Sequence, residues 1–444
     1  MRSALPKVLH PLAGKSLLAR VIDTATRLAP RSTIVVYGHG GEALRETLGH
    51  LPVQWVEQAE RLGTGHALAQ AMPQIADDAT VLVLYGDVPL IQADTLHRLL
   101  NVAKGNSLAL LTAHLANPYG YGRILRNGDG NVTRIVEEKD AAEHERRINE
   151  INTGFLAAPA ALMRRWLSRL DNKNSQGEYY LTDVVAMAVA DQVAVHTASP
   201  SREEEILGIN NRVQLADLER RFQRWQAEQL MIAGITLLDP ARFDLRGDLS
   251  TGTDVTIDIN VVLEGSVKLG NGVSIGPNTV IKDTEIDDNV QIFANCVIEN
   301  ARIGAGSRIG PFARIRPETV LAENVHIGNF VEVKKANIAR NSKVNHLSYI
   351  GDTIMGADVN IGAGTITCNY DGANKHVTHI GDRVFVGSDT QLVAPVRVGN
   401  DATIGAGTTV TKDVPEKVLC ISRVPQTVRT GWRRPQKKPK SPSA

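Results

Sequence analysis

A histidine, two cations and a carboxylate carry the chemistry most readily read from this chain. His346 sits in Val344-Asn345-His346-Leu347-Ser348-Tyr349, with aliphatic Val344 and Ile350 on either side. Imidazole changes charge nearest neutrality, so His346 suits taking a proton from an attacking amine, a step in which a base contributes roughly 10² to 10⁴ in rate. The bland reading is a solvated surface histidine. Arg316 and Lys334 lie eighteen residues apart, with Glu332 close by in sequence. Asp87 follows the apolar run Val81-Leu82-Val83-Leu84-Tyr85 and precedes Val88-Pro89-Leu90. A carboxylate placed there can hold Mg²⁺, a hard cation that takes oxygen ligands, or it can cap a turn.

The scaffold that must position the first three residues repeats every six. Leu263, Leu269 and Ile275 set the beat; Ile309, Ile315, Leu321, Ile327 and Val333 resume it, and Ile380, Val386, Leu392, Val398, Ile404 and Val410 continue it. Six residues make a flat strand plus a tight turn, and three such units make one triangular coil of a parallel β-helix. At roughly 4.8 Å per layer, eight or nine coils give a prism about 40 Å long. Glycines are expected at the corners, where a Cβ is costly. Eighteen residues is one coil, so Arg316 and Lys334 stack on one corner and form an anion site unless Glu332 neutralises them. Inward positions are aliphatic, and Cys296 fits one; chemistry therefore comes from outward side chains. The beat breaks after Thr367, and Cys368-Asn369-Tyr370-Asp371-Gly372-Ala373-Asn374-Lys375 should bulge as a loop beside the base, to close over substrate or as a tolerated insertion.

From Met1 to about Arg212 short apolar runs such as Thr33-Ile34-Val35-Val36-Tyr37 alternate with helical stretches, for example around Ala93 to Ala103. That is an α/β pattern with a mostly parallel sheet, whose ligand lies beyond the carboxyl ends of the strands. Gln58 and Leu62-Gly63-Thr64-Gly65-His66-Ala67 precede a helical run whose bare N–H groups suit a phosphate or a base edge. Lys7 could meet phosphates. Gly120-Tyr121-Gly122-Arg123, Glu137, Glu150-Ile151-Asn152-Thr153-Gly154 and Gly208-Ile209-Asn210-Asn211-Arg212 put polar groups beside glycine at strand ends, each singly readable as a turn. Leu215, Leu218, Phe222 and Trp225 recur at three and four before Gly234, which predicts one amphipathic helix over 213–233 that packs on its own chain.

Composition excludes several classes. The 444 residues carry a net charge of +1, which argues against bulk electrostatic binding to nucleic acid or an anionic membrane. Cys296, Cys368 and Cys420 are too few and too irregular for a disulfide framework or zinc site, and a reducing cytoplasm is expected. No run approaches the roughly eighteen apolar residues of a membrane span, and the opening MRSALPKVLH has no signal-peptide core. The basic, proline-interrupted tail Trp432-Arg433-Arg434-Pro435-Gln436-Lys437-Lys438-Pro439-Lys440 reads as disordered and solvated.

Taken in order, Leu5-Pro6-Lys7-Val8-Leu9-His10, Gly63-Thr64-Gly65-His66-Ala67, Tyr85-Gly86-Asp87-Val88-Pro89-Leu90, Glu150-Ile151-Asn152-Thr153-Gly154 and Gly177-Glu178-Tyr179-Tyr180-Leu181-Thr182-Asp183 resemble the bifunctional bacterial N-acetylglucosamine-1-phosphate uridylyltransferase/glucosamine-1-phosphate acetyltransferase family. The resemblance spans nearly all of the chain. It implies a Rossmann-like nucleotidyltransferase domain over 1–212, a helical linker over 213–233, and a left-handed β-helix acetyltransferase domain with the basic tail over 234–444. In the first domain it implies contacts to UTP and N-acetylglucosamine-1-phosphate at Lys7, Gln58, Gly63, Thr64, Tyr85, Gly86, Asp87, Gly122, Glu137, Asn152 and Asn210, with Mg²⁺ on Asp87 and Asn210. In the second it implies His346 as general base, glucosamine-1-phosphate contacts at Arg316, Lys334, Tyr349, Asn360 and Lys375, and acetyl-CoA contacts at Ala363, Asn369, Tyr370, Ser388, Ala406 and Arg423. It also implies a homotrimer whose acetyl-CoA groove lies between neighbouring prisms, and a cytoplasmic protein with small-molecule partners only.

The sequence departs from the family in one place. The family begins with a central strand running into a Gly-rich nucleotide loop with an Arg, whereas this sequence opens a few residues before Pro6-Lys7. The expectation is exposed backbone on the neighbouring strands, no phosphate cradle and impaired uridylyl transfer; a start site further upstream accounts for the departure equally well. Two other readings stand beside the leading one. A trimeric scaffold with a vestigial nucleotide domain is opposed by the joint presence of Arg316, Lys334, His346 and Tyr349. A metal hydratase is opposed by His326, His346, His376 and His379, which lack corner-stacked spacing.

Overall fold

The computed structural model describes residues 1–38 and 40–436. They divide into two compact units, Met1–Gln229 with Leu245–Gly247, and Leu230–Asp244 with Asp248 onward.

In the second unit the described strand pairs run in parallel from one coil to the next, as in a left-handed parallel β-helix. One face runs through His326, Lys343, Asn360, Phe385, Thr403 and Leu419 in unbroken register. The six-residue beat is its interior. Leu263, Ile309, Ile315, Ile327, Val333, Val386, Leu392 and Ile404 are fully buried, and so is Cys296. Each such side chain contributes roughly 1.5–3 kcal/mol, but only because the coils above and below close over it.

The corners differ from the glycine expectation. Asn278, Asn295, Asn324, Asn341 and Asp358 take the left-handed turn with φ of +56° to +61°. Their short polar side chains tolerate that region best after glycine. Many glycines serve instead where coils approach closely: a Cβ on Gly362 would lie 2.5 Å from Ser388 N. The break in the beat is an extruded hairpin, closed by a bridge between Tyr370 and Lys375.

In the first unit, strands Ala194–Ala198 and Ser107–His114 are parallel, and Glu150–Pro159 runs counter to Ser107–His114, Gly122–Arg126 and Thr80–Val83. Val132–Val136 adds a further antiparallel edge. The sheet is thus mixed rather than mostly parallel. The long strand Glu150–Pro159 carries apolar residues to both faces, and the helices on either side bury Phe155 and Trp166 completely. Ile34–Tyr37 and Gln54–Glu57 form a separate parallel pair. Between that pair and Thr80–Val83 lies a slot, seen as cavities of 470 and 740 Å³ lined by Ile34, Val36, Thr80, Leu82 and Leu84.

The amphipathic helix spans Arg212–Ile232, one residue earlier at each end than its sequence pattern suggests. Leu218 and Phe222 pack with Leu12, Leu17 and Ile209, and Leu215 and Trp225 flank them. Gly234 follows at φ +102°. No helix among the described residues is long and apolar enough to cross a membrane. Of the basic tail, Trp432 to Gln436 are exposed, and the Lys437 to Lys440 part lies outside the described residues.

Candidate active sites

In the first unit the strand ends gather most of the residues singled out above. Lys7 Nζ donates to Asp87 Oδ2 at 2.6 Å and to Asn210 Oδ1 at 3.0 Å. The bond from Ile209 N to Asp87 O sets Asn210 beside Asp87. One carboxylate and one amide oxygen fit a hard divalent cation that keeps waters and phosphate oxygens as its remaining ligands. The Lys7 ammonium now spans that donor pair.

A second group surrounds Glu137. Its Oε1 accepts from Thr182 Oγ1 at 2.9 Å, a Cβ on Gly122 would lie 3.4 Å from its Oε2, and Gly122 pairs across the sheet with Asn152. Burial pushes the Glu137 carboxyl up, aided by Asp183 and Asp140 and opposed by the Thr182 hydroxyl. Tyr85 links the groups: burial first, then the charges of Glu137 and Asp87, push its phenol up to about 12. It stays a neutral donor.

Gln58 turns elsewhere, donating to Gly63 O at 3.1 Å and meeting His66 Nδ1 at 3.0 Å. Gly63 sits at φ +106°, where a Cβ would meet Tyr179 O at 2.7 Å, and Thr64 Oγ1 accepts from Leu181 N. The Gly63 loop is therefore clamped by the 177–183 segment rather than free.

In the β-helix a column rises from His346. Gly364 N donates to His346 O, Asp389 N to Ala363 O and Gly407 N to Ser388 O, so His346, Ala363, Ser388 and Ala406 hold one corner position on consecutive coils. Three steps of about 4.8 Å make a wall of small side chains about 14 Å long, starting at an imidazole. Arg423 lies over its far end, where Cβ atoms on Gly405 and Gly407 would come within 3.5 and 3.8 Å of its side chain.

Arg316 and Lys334 stack on adjacent coils as expected, but Arg316 Nη1 donates to Glu332 Oε1 at 2.8 Å. The pair of unpartnered like charges is corrected accordingly, because Glu332 points from the same strand as Lys334 and reaches Arg316 first. Lys334 instead lies against Lys375 of the extruded hairpin, and that contact lowers the Lys375 ammonium from its ordinary range. Tyr349 follows Glu332 one coil on, and its hydroxyl meets Asn369 Nδ2 at 3.4 Å. Asn369 also donates to the buried carboxylate of Asp352. The hairpin is held in shape by Asp371, which accepts from Ala373 N, Asn374 N and His376. Asn360 lies apart from this cluster, between Lys343 and Phe385, and Tyr370 is exposed.

Asn329, Asp352 and Thr182 escaped sequence reasoning. Asn329 alone had a signal, being one coil before His346. Of the other histidines weighed as metal ligands, His326 stacks on Lys343, His379 stacks on Arg397 and His376 pairs with Asp371. Removal of one ammonium should raise the titration of its neighbour. Lys334→Ala is expected to reduce amine-reactive labelling of Lys375 at mildly alkaline pH, read by peptide mass spectrometry; unchanged labelling contradicts the contact.

Comparison with known proteins matches residues 1–148 to a MobA-like NTP transferase domain, 245–329 to a GMPPB C-terminal domain and 378–412 to a bacterial transferase hexapeptide of six repeats. The bifunctional protein GlmU of Methylococcus capsulatus is 59% identical over 438 residues, covering 98% of this chain and 95% of its own. That of Aromatoleum aromaticum is 57% identical over 455 residues, covering 99% and 96%. Among solved structures, a nucleotidyl transferase from Methanothermobacter thermautotroptrophicus covers 50% of this chain and 87% of its own, at 22% identity and a TM-score of 0.37.

Proposed function

The chain belongs to the bifunctional GlmU family, and from that premise we propose how its two ends work. It is an acetyltransferase and a nucleotidyltransferase. One activity moves acetyl from acetyl-CoA to glucosamine-1-phosphate; the other joins N-acetylglucosamine-1-phosphate to UTP, giving UDP-N-acetylglucosamine and pyrophosphate. It draws on acetyl-CoA and a divalent cation. Our assignment gives uridylyl transfer to residues 1–212 and acetyl transfer to 234–444, in a cytoplasmic protein.

The observation that carries the acetyl half is the column from His346 to Ala406. Small side chains let a flat pantetheine arm lie along the wall with its thioester at the imidazole. Lys334 and Lys375 hold the sugar phosphate, while Arg316 is already neutralised by Glu332 and contributes a directed donor rather than free charge. Tyr349 and Asn360 orient the sugar, and Asn369 and Tyr370 contact acetyl-CoA. His346 takes the ammonium-derived proton as the new C–N bond forms and the C–S bond breaks; the thiolate leaves and is protonated.

In the uridylyl half Asp87 and Asn210 would hold the cation, which we assign as Mg²⁺ and which would neutralise phosphate charge. Lys7 exchanges those oxygens for phosphate. Glu137, Asn152 and Gly122 line the sugar side, Gly86 lets the sugar pass close to the strand end, and Tyr85 donates from a phenol held neutral. Gln58, Gly63 and Thr64 frame the base.

The corner beside His346 supports reading the protein as a homotrimer. Phe312 and Phe330 stack there with centroids 5.2 Å apart, both half-exposed and both at φ near +57°, and Leu347 is exposed in the same way. Bulky residues are strained in that conformation, and a second copy packed against them gives the strain a use. Sedimentation of the intact chain is expected to give three copies; a monomer contradicts it.

Thiol release from acetyl-CoA with glucosamine-1-phosphate should fall by roughly 10²-fold or more in His346→Ala. Chelation of divalent cations should abolish pyrophosphate release while leaving thiol release unchanged. Equal thiol release in parent and variant removes His346 from the mechanism, and no release in the parent removes the acetyltransferase reading.

A further inference from the structure

We infer that Asn329 is a positioning residue for His346, selecting the ring nitrogen that takes the proton and holding the imidazole without adding negative charge to it. The inference rests on the acetyl-transfer reading above. Strands His326–Asn329 and Lys343–His346 pair in parallel with Asn329 directly opposite His346, and Asn329 Oδ1 lies 2.9 Å from His346 Nδ1. An amide oxygen only accepts, so Nδ1 carries the ring hydrogen and donates it. Nε2 is then the atom with the free lone pair. The same bond stops the ring from turning about its χ2 axis, so one contact fixes both the tautomer and the direction of the base.

The identity of the partner matters as much as its position. A carboxylate in place of the amide would stabilise the charged imidazolium, and a ring already protonated cannot take a proton from an amine. The nearby carboxylates are engaged elsewhere, Glu332 with Arg316 and Asp352 with Asn369. On the strands paired through Asn329 and His346 the charged and titratable groups are Lys343 on the base's own strand, His326 on the strand of Asn329 and Arg308 one coil earlier, while Lys334 and Tyr349 lie on the neighbouring strands with Glu332 and Asp352. The His326 imidazole is itself held below its ordinary range by burial, then by Arg308, Lys343 and His346. On the following coil Asn360 and Ala363 are neutral. A neutral acceptor amid cations orients the ring while leaving it free to act. During transfer the amine proton passes to Nε2 as the C–N bond forms and the C–S bond breaks, and the hydrogen on Nδ1 stays there, donated to Asn329 Oδ1 throughout.

The test uses the full chain and thiol release, with Asn329→Ala, Asn329→Asp and His346→Ala beside the parent. Asn329→Ala should lose about tenfold or more in kcat, within the range a general base contributes, with KM for both substrates nearly unchanged. Asn329→Asp, which keeps the shape, should shift the acid limb of the kcat/KM profile upward by about one pH unit, because a carboxylate favours the charged ring. A loss confined to KM, or an acid limb that does not move in Asn329→Asp, overturns the proposal. If Asn329→Ala does not fold, the isosteric Asp variant decides alone. An inactive parent, or a fully active His346→Ala, is failure of the acetyl-transfer reading and is recognised separately.

Discussion

Coil-to-coil register is the constraint on which the acetyl half depends. Each strand of the β-helix bonds to the same position one coil away, so any residue is translated by one layer, with almost no freedom to shift sideways. A slip of one residue would turn the buried aliphatic ring outward. That penalty, repeated over many coils, fixes the outward side chains without any dedicated support. It is why Asn329 faces His346, why Ala363, Ser388 and Ala406 form a straight wall, and why Arg316 meets the strand that carries both Lys334 and Glu332. A rigid repeat supplies positional accuracy, and the chemistry is written in substitutions at a few corners.

The nucleotide half is built on the opposite plan. Its residues come from loops at strand ends, and their placement depends on particular bonds such as Ile209 N to Asp87 O and Tyr179 N to Leu62 O. Charge is poised there rather than fixed. Lys7 bridges the Asp87 carboxylate and the Asn210 amide oxygen. A slot lined by Ile34, Val36, Thr80, Leu82 and Leu84 lies beside Thr80–Val83.

The β-helix was legible because its signal is redundant: the same aliphatic position recurs, and every residue of the beat from Leu263 to Val410 is buried. The helix over 212–232 was legible for the same reason at period 3.6. Single contacts were not. Asp352 reads as an ordinary corner residue, yet it is buried against Asn369. Thr182 binds Glu137 across 45 residues, and no local pattern announces such a contact. The mixed sheet was misread as mostly parallel because apolar runs report burial on both faces, not strand direction. Corner chemistry was half read: asparagine and aspartate make the left-handed turns, and many glycines answer to the coil above.

The central claim is that the His346 to Ala406 column is the wall along which acetyl-CoA lies. Replacing Ala363 with Leu puts a branched side chain on that wall one coil from the base, where it touches acetyl-CoA but not the sugar-phosphate cations. Steady-state kinetics of thiol release should show KM for acetyl-CoA raised by about tenfold or more, the loss expected when overpacking costs roughly 1–3 kcal/mol, with KM for glucosamine-1-phosphate unchanged. An unchanged KM for acetyl-CoA in a variant that keeps its fold would contradict the account.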